Sequence, residues 1–514
     1  MRSTDASTLA GRDVARPRVT LDELARHLGA ALSGRGDVEV LDVEQDSRKV
    51  GPGTLFAALR GARSDGLLHA PVALERGAVG VLCESGRRRE IASLGAPVLE
   101  VAALRPALAR AAAMVHGEPT QHLAVVGITG TNGKTTTAHL VEAALAATGQ
   151  ACGVLGTLGH RIGDEPLGEG HTSPEADELQ RLAALVRDRG ARHLVMEVSS
   201  IALAASRMEG VRFDVAAFTN LTQDHLDFHG TMDAYAAAKD KLFLDFAPRV
   251  SVVNVDDPHG ATLAQRLGER GATVLSVSVR PDSAADVRPS TLSISTEGIA
   301  IDFADGGALR SPLVGAHNAS NLLVGVAIAR ALGLDARALV GLGGMRTVAG
   351  RLERCDDPAR DDLVAVVDYA HTPDALVRVL ESVRGLTKGK LICVFGCGGD
   401  RDPAKRAPMG EAVARAADLA IVTNDNPRSE APDAIAAEIL VGLERGGARG
   451  RTTVLLDRAQ AIRHAVECAA PGDVVLVAGK GHEPYQLIGA ETFAFDDRVE
   501  LGRALAARRE RRGI

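Results

Sequence analysis

The chain has 514 residues, 46% of them hydrophobic and 24% charged, an ordinary globular composition with room for three domains of about 100–200 residues each. Its net charge of −7 and its lack of Trp argue against a nucleic-acid surface, an anionic-membrane surface and a base-stacking platform. Cys83, Cys152, Cys355, Cys393, Cys397 and Cys468 contain no C-x-x-C pair, which argues against a disulfide framework and predicts reduced thiols in a cytoplasmic protein.

Residues 1–17 are polar, have no apolar signal-peptide core and read as a disordered tail. A small α/β domain is predicted over 18–112, with a helix over Leu21–Leu32 and strands at Val79–Cys83 and Pro97–Val101. The most apolar helical stretch, Val101–Val115, is broken by Arg105 and Arg110, and no segment reaches the roughly 18 apolar residues of a membrane span. A central domain follows over 113–347. It opens with a strand at Leu123–Ile128, a glycine-rich loop and a helix from Lys134 to about Ala147, then buried strands at Leu194–Val198, Val215–Phe218 and Val250–Asn254. A third domain, 348–514, carries apolar runs at Leu363–Val367, Leu391–Phe395, Leu419–Thr423, Thr453–Leu456 and Val474–Ala478, separated by helical stretches. The fold class is therefore α/β: a small N-terminal α/β domain, a central P-loop-type parallel-sheet ATPase and a Rossmann-like C-terminal domain.

Gly130-Thr131-Asn132-Gly133-Lys134-Thr135-Thr136 lies between a strand and a helix. Glycines let backbone N–H groups approach phosphate oxygens, and the helix N-terminus adds partial positive charge. Lys134 suits the β- and γ-phosphates of ATP, and the Thr135 hydroxyl suits Mg²⁺. The spacing departs from the strict P-loop, because Gly133 follows Gly127 by six positions and Gly130 by three. A second metal ligand is needed on a neighbouring strand, and Glu197 closes an apolar one. Asp224, His225, Asp227 and His229 follow the strand Val215–Phe218, where strand C-termini face the crevice of a parallel sheet, and they suit a divalent metal beside phosphates.

These motifs resemble those of the Mur ligases of peptidoglycan synthesis, from about Asp46 to about Arg498. The resemblance rests on Asp46-Ser-Arg-Lys-Val, the Gly130–Thr136 loop, Glu197-Val-Ser-Ser200, Asp224-His-Leu-Asp-Phe-His-Gly230, Gly315-Ala-His-Asn-Ala-Ser-Asn321, Asp368-Tyr-Ala-His-Thr-Pro373, Phe395-Gly-Cys-Gly-Gly-Asp-Arg-Asp402, Asp425-Asn-Pro-Arg428 and Gly479-Lys-Gly-His-Glu483. It implies an ATP- and Mg²⁺-dependent carboxylate–amine ligase that works through an acyl phosphate. Its small-molecule substrates would be a UDP-muramoyl-dipeptide and meso-diaminopimelate, and it would be a monomer with no nucleic-acid partner and no membrane insertion. By resemblance, Ser47 contacts the UDP part, and Thr172, Ser173, Ser199 and Arg207 hold the dipeptide. Asn321, Arg351 and Asp368 bind nucleotide. Arg401, Asp425, Asn426, Pro427, Arg428, Gly479 and Glu483 bind diaminopimelate. Lys134, Glu197, His225 and Lys239 are catalytic, and Thr135, Glu197, His225 and Lys239 (as a carbamate) hold the metal.

Diaminopimelate carries a distal carboxylate that lysine lacks, and Arg428 can clamp it at about 1.5–3 kcal/mol per charge-assisted bond. Glu483 suits the distal ammonium. Four positions depart from the family pattern: Ile201 stands where the family has His, residues 171–174 read His-Thr-Ser-Pro rather than Asn-Thr-Thr-Pro, Ala349 replaces a Pro, and Pro408 is shifted by one residue. A lysine-adding or folylpolyglutamate-type ligase, a P-loop GTPase or kinase-like switch, and a non-catalytic binding module are the competing readings. Arg428 and the Asp46-Ser-Arg segment argue against the first, the third domain against the second, and Ile201 alone favours the last.

Overall fold

The computed structural model describes residues 18–512 apart from 62–63, 169–170, 296, 386–388 and 449. The expected tail over 1–17 lies outside the described residues. Three α/β units follow one another, each built on its own sheet.

The first sheet has five strands in the order Ala31–Ser33, Val98–Val101, Gly80–Glu84, Thr54–Ala57 and Asp42–Glu44. All neighbours are parallel except the first pair. The helix expected over Leu21–Leu32 stops at Leu28. Thr20 and Glu23 form a capping box at its start, and Gly29 ends it in the left-handed region at φ 64°. The chain so released pairs Ala31–Ser33 with Val98–Val101, an edge strand that helical periodicity concealed.

The second sheet has eight strands in the order Glu165–Gly168, Gly159–Ile162, Cys152–Gly156, His193–Glu197, Ala124–Thr129, Val215–Phe218, Val250–Asn254 and Val274–Val277. The last six run parallel, and the first two form an antiparallel extension. Val126 and Ile128 pack under the helices Lys134–Ala147 and Ala316–Ala331 on one face, while Val125 packs in the core on the other. Such two-sided burial explains the unbroken apolar runs. A three-stranded antiparallel sheet (Thr291–Ser295, Gly298–Asp302, Ala308–Ser311) is an addition that the strand–helix alternation did not foretell.

The third sheet runs Glu353–Arg354, Val364–Asp368, Val474–Ala478, Leu391–Phe395, Leu419–Val422 and Thr452–Val454, parallel after the first pair. No described helix is long and apolar enough to cross a membrane.

A fully buried ion pair ties this third unit together. Arg458 Nε and Nη2 each donate to an Asp497 carboxylate oxygen at 2.7 Å. The same guanidinium donates to the carbonyls of Asn424 (3.1 Å) and Ala478 (3.0 Å), so it fixes the two strand ends that carry the Asp425 and Gly479 motifs. Removing one partner leaves a buried, uncompensated charge, which typically costs about 3–5 kcal/mol. Asp497→Ala is accordingly expected to lose about that much stability in the third unit's urea-unfolding transition; a loss under about 1 kcal/mol would contradict the role given to the pair.

Candidate active site

The central sheet assembles the phosphate loop by register. Glu197 pairs with Ile128 and Phe218 with Thr129, so Glu197 and Thr219 emerge on either side of Gly130. Two of the loop's glycines are required by geometry. Gly130 has φ 143° and a Cβ there would lie 1.9 Å from Thr219 Oγ1, while Gly133 has φ 87° and a Cβ there would meet Asn321 Oδ1 at 2.4 Å. That second approach brings Asn321 to the loop. Thr219 Oγ1 donates to Asn132 O at 2.6 Å, and Asn220 O accepts from the Thr131 N–H at 2.8 Å, so the segment after Phe218 braces the loop.

Two ammonium groups converge on one carbonyl. Lys134 Nζ and Lys239 Nζ each donate to Gly130 O at 2.9 Å, and Lys134 also donates to Thr131 O at 2.8 Å. Lys239 is 2% exposed and lies 4.3 Å from the Tyr235 ring centroid. Burial, with the Lys134 charge added, pushes its pKa well below the ordinary lysine value. Burial also lowers Lys134, partly offset by the opposite charges of Glu197 and Asp224. An amine that holds its proton less tightly reacts more readily as a nucleophile.

Glu197, 1% exposed, accepts from Thr135 Oγ1 at 3.0 Å. Its carboxylate also accepts from Thr157, through the backbone N–H at 2.8 Å and Oγ1 at 3.2 Å. The expected partners Thr135 and Glu197 are therefore together. His225 is exposed and pairs with Asp224 at 3.5 Å rather than with Glu197, its ring 6.2 Å from that of Tyr235. Ile201 leaves no imidazole at its own position, but His229 Nε2 lies 3.0 Å from the Ser200 hydroxyl beside it.

A second cluster adjoins Glu197. Ser173 Oγ donates to Glu197 O and accepts from the Ser199 N–H, both at 2.9 Å. Arg207 donates to Ser173 O at 3.1 Å and forms an ion pair with Glu175. Thr172 Oγ1 lies 3.0 Å from Thr157 Oγ1. Ser47 lies on a half-buried turn of the first unit, anchored nearby through Gln45 Nε2 to Asp177 Oδ1 at 2.8 Å.

The third unit brings the remaining residues to its strand ends. Asp368 Oδ2 accepts from the Leu352 N–H at 2.8 Å, and burial raises its pKa. Arg351 stacks 4.7 Å from the Tyr369 ring centroid, close enough to Lys134 for its charge to lower that amine further. Arg428, at φ 51°, donates to Gly399 O at 2.8 Å, and among the described residues no carboxylate lies within ion-pair distance of it. Arg401 is exposed and flanks the same Gly398 turn. Asn426 Nδ2 donates to Glu483 Oε2 at 3.0 Å, and the Pro427 carbonyl packs on Gly399. Gly479 leaves room for Asp425 Oδ2, which would lie 2.7 Å from a Cβ.

Sequence reasoning passed over Thr157, Thr219 and Lys480. The last is fully buried, its Nζ 3.0 Å from Asn426 Oδ1 and 3.4 Å from Glu483 Oε2. Thr157 and Thr219 directly follow parallel strands, so the strand-end rule applied to every strand would have found them. Lys480 sits inside a motif already singled out.

Comparison with known proteins accords with this layout. Residues 40–116 match the family model described as Mur ligase family, catalytic domain; 128–329 match the Mur ligase middle domain and 350–481 the Mur ligase, glutamate ligase domain. A UDP-N-acetylmuramoyl-L-alanyl-D-glutamate--2,6-diaminopimelate ligase of Gloeobacter violaceus is 43% identical over 501 residues, covering 96% of this chain and 100% of its own. A protein of the same name from Streptomyces coelicolor is 44% identical over 492 residues, covering 94% and 96%. A solved structure of that name aligns with TM-score 0.66 at 32% identity over 96% of this chain and 99% of its own. The MurF ligase of Thermotoga maritima in complex with ADP shares the fold, with TM-score 0.59 at 18% identity over 92% and 98%. With the phosphate loop and the adjoining polar cluster inside the middle-domain match, the Arg428 segment inside the third, and relatives 43–44% identical over nearly the whole chain, the chain belongs to the Mur ligase family.

Proposed function

We propose that this chain couples meso-diaminopimelate to the D-glutamyl carboxylate of UDP-N-acetylmuramoyl-L-alanyl-D-glutamate, with ATP cleaved to ADP and phosphate. It would act as a cytoplasmic monomer. The observation that carries the choice of amino acid is Arg428, a half-buried guanidinium with no carboxylate partner among the described residues, on the segment whose Asn426 donates to Glu483. A substrate end bearing both a carboxylate and an ammonium matches that arrangement. Lysine, lacking the carboxylate, leaves the arginine unanswered.

The residues present fit Mg²⁺. Thr135 Oγ1 and Glu197 Oε2 are hard oxygen donors 3.0 Å apart beside the phosphate loop. Among the described residues no three His, Cys, Asp or Glu side chains gather into a metal cage; phosphate oxygens, water and Lys239 as its carbamate would complete the set, with His225 joining only by turning from Asp224. Bound there, Mg²⁺ supplies charge neutralisation between two anions. The chain's own groups do the rest. Lys134 and the loop N–H groups hold the γ-phosphate while the dipeptide carboxylate attacks it. The acyl phosphate formed is then attacked by the diaminopimelate amine, the tetrahedral intermediate expels phosphate, and the amide remains. Arg351 and Asp368, on the third unit, approach the nucleotide from the opposite side and help exclude water from the acyl phosphate.

The direct test offers ATP, Mg²⁺ and the muramoyl-dipeptide with either meso-diaminopimelate or L-lysine and reads product mass. The diaminopimelate adduct should form alone, and Arg428→Ala should lower kcat/KM for diaminopimelate by roughly 10–100-fold, the equivalent of one charge-assisted bond. A lysine adduct would overturn the role of Arg428, and absence of either adduct would overturn the ligase reading.

Lys239 yields a stability prediction with a definite sign. Its pKa is depressed in the folded chain, so the unfolded chain binds that proton more tightly. Stability therefore falls as pH drops below the ordinary lysine range. In CO₂-free buffer Lys239→Met should raise the central unit's melting temperature at pH 7 by about 2–4 °C for each kcal/mol of relieved penalty, with the gain shrinking toward alkaline pH. The variant should be inactive in ligation. A variant less stable than the parent at pH 7 would count against the buried-amine argument.

A further inference from the structure

Thr157 stands at the C-terminal end of the strand Cys152–Gly156, next to the strand that ends in Glu197. The approach is close: a Cβ on Gly156 would lie 2.5 Å from Glu197 Oε1. The Thr157 N–H donates to Glu197 Oε1 at 2.8 Å. Its hydroxyl has two acceptors within reach, Glu197 Oε2 at 3.2 Å and Thr172 Oγ1 at 3.0 Å. A hydroxyl carries a single proton, so it serves one of them at a time.

Two arrangements follow. In the first, Thr157 donates to Glu197 and Thr172 donates to Thr157, so the Thr172 proton points inward. In the second, Thr157 donates to Thr172, and the Thr172 proton is free to point outward. Ser173 Oγ also has two acceptors, the Glu197 carbonyl at 2.9 Å and Ser199 Oγ at 3.2 Å, and it accepts from the Ser199 N–H at 2.9 Å, but none of these is the Glu197 carboxylate. The hydroxyl pair that links the Glu197 carboxylate itself to the second cluster is Thr157–Thr172.

We propose that Thr157 is a positioning residue that couples the nucleotide site at Glu197 to the muramoyl-dipeptide site at Thr172; this rests on the function proposed above. Once Glu197 Oε2 is engaged by a cation it is a poorer acceptor, and the Thr157 proton turns to Thr172. Thr172 then presents its own proton to an anionic ligand. Because coupling is reciprocal, the dipeptide tightens nucleotide binding by the same factor.

Calorimetric titration tests this without turnover. UDP-N-acetylmuramoyl-L-Ala-D-Glu is titrated into the full chain with and without Mg²⁺ and a non-hydrolysable ATP analogue. In the parent the nucleotide should tighten dipeptide binding by roughly tenfold, within the usual range of coupling factors. Thr157→Ser should keep that factor, and Thr157→Val should bring it close to one. A merely structural role would weaken one or both affinities and leave the factor in place. Should Thr157→Val fail to fold, Thr157→Ala retains the backbone bond to Glu197 and carries the same expectation. Coupling that persists in Thr157→Val or Thr157→Ala, or that is missing from the parent, overturns the relay alone. A parent that does not bind the dipeptide overturns the proposed function and the relay together.

Discussion

Two lysine amines share one carbonyl oxygen at the phosphate loop. Lys134 and Lys239 both point at Gly130 O from 2.9 Å, one from the loop's own helix and one from the helix Met232–Leu244. Left alone, such a pair is costly, and burial presses at least one amine to shed its proton. The cost makes sense only if the site's working state brings in negative charge. A triphosphate, a substrate carboxylate and a carbamate on Lys239 are all anions, and each would turn the repulsion into attraction.

The architecture serves that charge reversal. Parallel strands end together, so Gly130, Thr157, Glu197 and Thr219 meet although 89 residues separate the first from the last. The antiparallel hairpin beyond Cys152–Gly156 widens the sheet on the side of the Thr172 cluster. The third unit presents Arg351 toward Lys134 and keeps Arg428 and Glu483 at its own strand ends, held by the buried Arg458–Asp497 pair. On the proposed function, separate units would carry separate substrates.

Much of this was legible in the residues. Strands buried on both faces write themselves as continuous apolar runs, which is why Val215–Phe218, Val250–Asn254, Leu391–Phe395 and Val474–Ala478 appear where the sequence placed them. The helix start at Lys134 was equally plain, because a glycine loop between strand and helix has few other uses. The stop at Gly29 was missed because apolar spacing continues past it, while the left-handed turn depends on one residue's backbone. Short antiparallel strands such as Tyr485–Ile488, whose one buried residue is the polar Gln486, leave no apolar period to read. Thr157 at a strand end and Lys480 inside a quoted motif were both within view, but their partners were not. A lone Thr or Lys says nothing until the fold shows whose carboxylate it reaches.

The claim on which the account depends is that the carboxylate is activated as an acyl phosphate at this loop. The most direct measurement starts from muramoyl-dipeptide carrying heavy oxygen in the D-glutamyl carboxylate and reads the mass of the phosphate released during ligation. Attack of that carboxylate on the γ-phosphate leaves one of its oxygens in the released phosphate and one in the new amide, so each phosphate should carry a single heavy oxygen. Unlabelled phosphate formed alongside the ligated product would contradict the account, because the carboxylate would then have been activated by another route.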